Sequence, residues 1–483
     1  MSKEKVLKNL FEQKIKEYKK VKLLGAIVDF LVGLSQYLPE IKKPVKEVPF
    51  KEKMIWTLLA LIIFFILANI SLVGLDTSIR QVQEILFAQT LLAGEMGKLI
   101  TAGIGPIVMA SIFLQLFMGA QILNFDLGSG EGRAKFQALQ KVLAVILCFV
   151  QGFIYVGSGM LMPLGGAGIL NPMTWFITLQ IAMGSLILLY LDEIVSKYGI
   201  GSGVSLFIAA GVAGGLFWQI FMPPIVNNAN TFLAGGGILW KVMTLGDLTL
   251  LLPILGIIII FLVVVFAEGM HVNIPITMGQ SGVGGRYPVK FLYVSNMPVI
   301  LAMALFMNIK LFALFIQQTK IPILTEVMGA ISWAISVPYV GGRSLLQGLF
   351  DQGITTVTTL AMIQAIIFLI VLIVACIVFG WFWVQMGNQS TQAVAAQLER
   401  SGMQIPGFRR DKRVIEKVLE RYIPPITILG SIFVALLSGI GDLVLAGVTS
   451  GTGILLTVGI IYRFYEEIAK TQQEAIMKLM GKF

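Results

Sequence analysis

Leu248-Thr249-Leu250-Leu251-Leu252-Pro253-Ile254-Leu255-Gly256-Ile257-Ile258-Ile259-Ile260-Phe261-Leu262-Val263-Val264-Val265-Phe266-Ala267 is a run of 20 residues without a charge. Coiled as an α-helix it is about 30 Å long, the thickness of the hydrocarbon core of a bilayer. In lipid, an isolated segment can satisfy its backbone N–H and C=O groups only as a helix. The run therefore predicts a transmembrane span. Comparable runs lie on both sides of it, at 54–74, 104–123, 138–161, 173–191, 202–222, 289–309, 356–384, 423–446 and 448–465. The stretch 311–335 is apolar but broken by Lys320, Pro322 and Glu326, and reads as a loop or re-entrant element. The fold class is all-α integral membrane, with ten transmembrane helices. Composition agrees: 57% of the 483 residues are hydrophobic and 13% charged, against about 25% charged in a soluble domain. That leaves too little polar surface to cover a water-soluble globule.

Charge placement supports ten spans with a cytoplasmic N-terminus. Only Arg80, Lys98, Lys241, Lys310, Lys320 and Arg343 then fall outside, leaving 30 of the 36 lysines and arginines on the cytoplasmic side, as the positive-inside rule requires. An eleventh span at 311–335 would push the basic loop 385–422 outside. Both termini are thus expected in the cytoplasm, the tail running from 466 to 483. Residues 1–53 are Lys-rich, and their apolar patch at 24–32 is interrupted by Asp29 and followed by Pro39 and Pro44. This pattern suits an amphipathic helix on the membrane surface better than a signal peptide.

Ten spans divide into halves of five, 54–222 and 248–465, joined by an external linker at 223–247 that contains Pro223-Pro224 and Gly235-Gly236-Gly237. Because five is odd, the second half enters from the opposite side and the halves are related by inversion. Gly105-Pro106-Ile107-Val108 in span 2 corresponds to Met297-Pro298-Val299-Ile300 in span 7. Gly201-Ser202-Gly203-Val204 at span 5 corresponds to Gly451-Thr452-Gly453-Ile454 at span 10. Glycine and proline at membrane depth permit irregular backbone where it lines a cavity, and also close helix packing.

The side chains that follow these breaks are aliphatic: Ile104, Val108, Val204, Ile208, Ile300 and Leu456. Asp442 and Glu268 lie near span ends, and the middles of the helices carry almost no charge. An ion-coupled secondary transporter, the rival reading for inverted repeats, places ionisable groups at membrane depth to bind its ions and substrate. A dry aliphatic constriction instead resists water and ions, and suits a pore that admits varied chains yet stays sealed at rest. Between spans 1 and 2, residues 84–99 are too short and too charged to span. They read as a short helix, either an external loop or a plug beneath the constriction. Cys148 and Cys376 sit in apolar runs, and His271 is the only histidine, so neither a disulfide framework nor a metal site is expected. Against an intramembrane protease, the single histidine is not placed beside a serine or aspartate motif, and glycine-rich helix ends argue against a passive scaffold. Gly128-Ser129-Gly130-Glu131-Gly132-Arg133 lacks the Gly-Lys-Ser/Thr ending of a phosphate-binding loop. The chain is read as a non-enzyme without cofactor, driven by a partner.

Leu99-Ile100-Thr101-Ala102-Gly103-Ile104-Gly105-Pro106-Ile107-Val108 resembles the plug-to-span-2 signature of the SecY family. The stretches 190–203 and 287–298, Arg421-Tyr422-Ile423-Pro424-Pro425 and Gly451-Thr452-Gly453-Ile454-Leu455-Leu456 resemble it too. The wording is similar to the archaeal SecY and eukaryotic translocon alpha-subunit branch, over roughly residues 40–470. The resemblance implies the pore-forming subunit of a protein translocase in the plasma membrane. It makes the six aliphatic residues the pore ring and residues about 84–99 a plug carrying Phe87, Thr90, Leu91 and Met96. A lateral gate would open between spans 2 and 7, with Gln115, Gln151 and Asn296 as polar gate residues. Loops 269–288 and 385–422 would dock a ribosome through Arg286, Arg409 and Arg410. It further implies SecE/gamma-type and beta-type small membrane subunits, signal sequences of nascent chains and membrane lipid as partners.

Overall fold

The computed structural model describes residues 28–46, 48–76, 92–119, 122–123, 125, 129–166, 168, 170–222, 237–246, 251–278, 284–319, 321–340, 343–387, 389–400, 403–404, 412–445 and 450–480. Ten principal helices follow one another: α1 Phe50–Asn69, α2 Gly105–Gly119, α3 Gly130–Gly157, α4 Pro172–Tyr198, α5 Gly203–Phe221, α6 Leu252–Gly269, α7 Met297–Thr319, α8 Thr356–Met386, α9 Lys412–Leu445 and α10 Gly451–Met480. Of these, α3, α4, α5, α7, α8 and α9 contain stretches long and apolar enough to cross a membrane, while α2 and α6 are shorter apolar helices.

Each helix starts and stops for local reasons. Ser129 caps α3 by accepting from the Gly132 N–H, and Asn171 caps α4 ahead of Pro172, whose ring suits a first helical turn. A reciprocal capping box joins Thr355 and Thr358 at the start of α8. Pro424 and Pro425 lie inside α9, which starts at Lys412, eleven residues before the expected span. Helical backbone extends past the apolar segment because Ile415, Leu419, Ile423 and Ile426 form one buried stripe against Val394, Ala395 and Leu398 of a short helix, Thr391–Arg400. Proline is tolerated in a helix braced by neighbouring elements.

The two halves share one packing plan. In the first, α2 lies beside α3, α3 beside α4, α4 beside α5, and α1 beside both α4 and α5. In the second, α7 lies beside α8, α8 beside α9, α9 beside α10, and α6 beside both α9 and α10. Shifting each helix number by five converts one list into the other, and α7 additionally touches α9. The halves meet along two seams: α2 and α3 against α7, with α2 also touching α8, and α5 against α10. The main apolar core runs continuously through both.

Some expectations are revised. The stretch 311–335 is helical: α7 continues to Thr319, and Pro322–Ala334 forms a separate helix packed on α7 and α8. Loop 269–288 is a hairpin of β1 His271–Met278 and β2 Gly284–Lys290, paired antiparallel with Ile274 opposite Tyr287. A third strand, β3 Met403–Gln404, adds to β1 and ties loop 385–422 to the hairpin. The fold is helical as expected, with this small sheet and a two-residue ladder of Tyr339–Val340 against Arg343–Ser344 added to it. A helix at 28–35 packs Val28, Leu31 and Val32 on Leu114 and Met118 of α2 and Leu139 of α3. The strap after it is held where Lys141 Nζ donates to the Pro39 carbonyl (2.6 Å) and pairs with Glu193 (2.8 Å).

Candidate functional site

Backbone bonds at the four helix starts define the site. The Val108 N–H donates to the Ile104 carbonyl (3.1 Å), and the Ile300 N–H to the Asn296 carbonyl (3.2 Å), so α2 and α7 begin alike. The Leu206 N–H donates to the Ser202 carbonyl (3.0 Å), and the Ile454 N–H to the Ser450 carbonyl (3.0 Å). This second match pairs Ser202 with Ser450 and Gly203 with Gly451, two residues away from the pairing of Gly201 with Gly451 read from the sequence. The starts of α5 and α10 are also each held by a carboxylate from the preceding helix. Asp192 Oδ1 accepts from the Val204 N–H (2.8 Å), and Asp442 Oδ1 accepts from the Thr452 N–H (2.9 Å). Asp442 receives two further bonds, from Thr452 Oγ1 (2.6 Å) and Ser450 Oγ (3.1 Å), in a fully buried setting.

In this register Ile104 corresponds to Asn296, Val108 to Ile300, Val204 to Thr452 and Ile208 to Leu456. Six of these eight positions are the aliphatic residues expected to line the constriction. All six join one apolar cluster: Ile104, Val108, Ile208, Ile300 and Leu456 are at most 7% exposed, and Val204 packs against them half-buried. Leu92, within the expected plug, and Ile100, just beyond it, belong to the same cluster, with Met96 packed on it. The Ile104 N–H donates to the Leu92 carbonyl (2.9 Å). Gly103 makes this approach possible: its φ is +54°, and a Cβ there would overlap Leu92 O. Residues 92–99 form turns bridged to the end of α1 through Leu72 N–H to Gly97 O (2.9 Å) and Leu99 N–H to Ile70 O (2.9 Å). The helix expected over 84–99 therefore does not cover 92–99, where Ala93 takes a left-handed φ of 53° and Gly97 one of 75°. Phe87, Thr90 and Leu91 lie outside the described residues.

The polar residues expected at the gate separate. Gln151 Nε2 on α3 donates to Asn308 Oδ1 on α7 (2.6 Å), with both side chains buried. Asn296 points elsewhere, its Nδ2 donating to the Leu455 carbonyl on α10 (3.2 Å). Gln115 is buried on α2, with Nε2 donating to Ser111 Oγ (3.1 Å) on its own helix. Asn308 was missed in the sequence, although an asparagine inside the apolar run Phe306-Met307-Asn308-Ile309 is a recognisable signal of a buried polar partner. Of the docking residues, Arg286 occupies β2 opposite Pro275, and Arg409 and Arg410 lie outside the described residues. Cys148 and Cys376 are free and buried, and His271 is exposed. Among the described residues no group of three or more His, Cys, Asp or Glu could hold a metal.

Because Asp442 serves three donors at once, Asp442→Ala is expected to cost about 2–4 kcal/mol, since buried donors left without acceptors each carry a desolvation penalty. Thermal unfolding in detergent checks this: Asp442→Asn, which retains one acceptor oxygen, should lose less than Asp442→Ala.

Long apolar helices packed around one continuous apolar core define a multi-pass membrane protein. The chain belongs to the SecY family, whose model matches residues 98–465. The protein translocase subunit SecY of Methanocaldococcus jannaschii is 42% identical over 468 residues, covering 94% of this chain and 99% of that relative. A solved structure described as "The structure of a protein conducting channel" superposes with a TM-score of 0.75 at 41% identity, over 91% of this chain and 96% of that one. "Sec61 in the Canine ribosome-channel complex from the endoplasmic reticulum" gives 0.73 at 41% identity, with the same coverage.

Proposed function

We propose that this chain is the pore-forming subunit of a protein translocase, passing secretory polypeptides across the membrane and releasing transmembrane segments sideways into lipid. The observation that carries the reading is the apolar cluster to which both halves contribute Ile104, Val108, Val204, Ile208, Ile300 and Leu456. Such a waist offers no binding group for a particular solute, but closes against water and ions. In this account α1 to α10 are ten spans in two inverted halves, both termini face the cytoplasm and the membrane is the plasma membrane. Residues 84–99 plug the waist, and the gate opens where α2 and α3 meet α7. An apolar signal segment parts that seam and partitions outward, each buried CH₂ contributing about 0.8 kcal/mol. SecE/gamma-type and beta-type subunits accompany the chain, and an elongating ribosome drives transport.

The reading is tested with the full chain reconstituted into vesicles and presented with ribosomes translating a secretory protein. Signal-bearing chains should become protected from external protease only in vesicles that contain the protein. Equal protection in empty vesicles, or none in either, would remove the assignment. For the ribosome contact, Arg409→Glu should weaken vesicle association and flatten its salt dependence by about one unit of log–log slope, since one phosphate contact is lost. Unchanged sedimentation across a salt series would take Arg409 out of the interface.

A further inference from the structure

Of the eight positions that the repeat places at the waist, two are polar, and each makes a tie between helices. Thr452 is bonded to Asp442 on α9. Asn296, the counterpart of Ile104, is 3% exposed and crosses from the start of α7 to the main chain of α10 at Leu455, the residue before Leu456. Its main-chain carbonyl accepts from the Ile300 N–H, one turn into α7. A single side chain thus spans between the segments that carry Ile300 and Leu456, the two waist residues of the second half. The first half has no such tie at the matching place, because Ile104 offers only apolar contact there.

We propose that Asn296 is a positioning residue that fixes Leu456 relative to Ile300, so that displacement of α7 at the gate is transmitted to the constriction. This rests on the channel reading above. The close approach depends on Gly459, one turn beyond Leu455 on α10: a Cβ there would overlap Asn296 Nδ2 and would stand 3.1 Å from Glu268 Oε1. Gly459→Ala should therefore dislodge the amide without altering any waist side chain. Hydrogen bonds across membrane helices are modest, so each single change should raise the resting ion leak about three- to tenfold.

The test is a double-mutant cycle on the full chain in planar bilayers, comparing Asn296→Ala, Gly459→Ala and the double variant. Val108→Asn serves as a positive control for the channel itself. The proposal requires that both single changes raise the leak and that the double variant leak no more than the larger single one. Multiplying effects would mean that Gly459→Ala acts elsewhere, for instance on Glu268, and would overturn it. An Asn296→Ala leak equal to that of the unmodified chain would also overturn it, as long as Val108→Asn leaks. If Val108→Asn is silent as well, the channel reading fails first. Should Gly459→Ala not fold, Asn296→Ser replaces it: a shorter donor that cannot reach Leu455 must leak as Asn296→Ala does, and a tight Asn296→Ser overturns the proposal.

Discussion

Replacing Ile104, Val108 and Ile300 together with asparagine should raise the resting ion conductance of the reconstituted protein by well over tenfold. Each of these side chains contributes about 1.5–3 kcal/mol by staying out of water, and each 1.4 kcal/mol corresponds to a factor of ten in an equilibrium. Three polar replacements at one constriction reverse its preference for being dry, and a wetted constriction conducts. Ile104 directly precedes α2, Val108 lies in its first turn and Ile300 lies in α7, so the substitutions act on both walls of the same seam. Single-channel recording in planar bilayers measures the effect, with Ile259→Asn on an exposed face of α6 as a control that should remain tight. Background conductance in the triple variant would mean that these residues do not form the seal.

Tethering α3 to α7 should stop translocation. Gln151 and Asn308 meet at 2.6 Å across the seam proposed to part, and a membrane hydrogen bond of about 0.6–1.7 kcal/mol would break readily during transport. A covalent link does not. With Cys148→Ala removing the buried thiol one turn away on α3, Gln151→Cys and Asn308→Cys joined by a short, reducible bis-thiol reagent should reduce translocation at least about tenfold. The loss follows because a locked equilibrium leaves no open population. Reductant should restore activity in the same vesicles. Full transport by the linked protein, with linkage verified by mass, would place the moving seam elsewhere.

Six spans were legible as apolar runs about 20 long: 138–161, 173–191, 202–222, 289–309, 356–384 and 423–446 fall on helices long and apolar enough to cross a membrane. The run 248–267 falls on the shorter apolar helix Leu252–Gly269. What lay outside lipid was harder to see. The hairpin 271–290 is held by pairing across the chain, and Gly284-Gly285 with Pro275 and Pro288 reads locally as a turn-rich loop. Helix α9 starts eleven residues early because amphipathic burial against Thr391–Arg400 takes over where hydropathy ends.

At the waist, the Gly/Pro breaks mark the helix starts that bring all six aliphatic positions into the main apolar core. The register of the second repeat pair was misread by two residues, because letter matching favoured Gly-Ser-Gly against Gly-Thr-Gly. The carboxylates of Asp192 and Asp442, which set the helix starts, belong to the preceding helices. Asn296 was assigned to the gate by resemblance alone; only the packing of α10, with Gly459 opening the space, turns it toward Leu455.

The central claim is that a polypeptide passes between the halves at this waist. It is tested most directly by stalling a secretory chain in mid-transport and asking which cysteines capture it. Single cysteines at Val108, Ile208 and Ile300, on helices α2, α5 and α7, should each crosslink to the stalled chain, whereas Ile259→Cys on the exposed face of α6 should not. Capture at the α6 position with silence at the three waist positions would contradict the account.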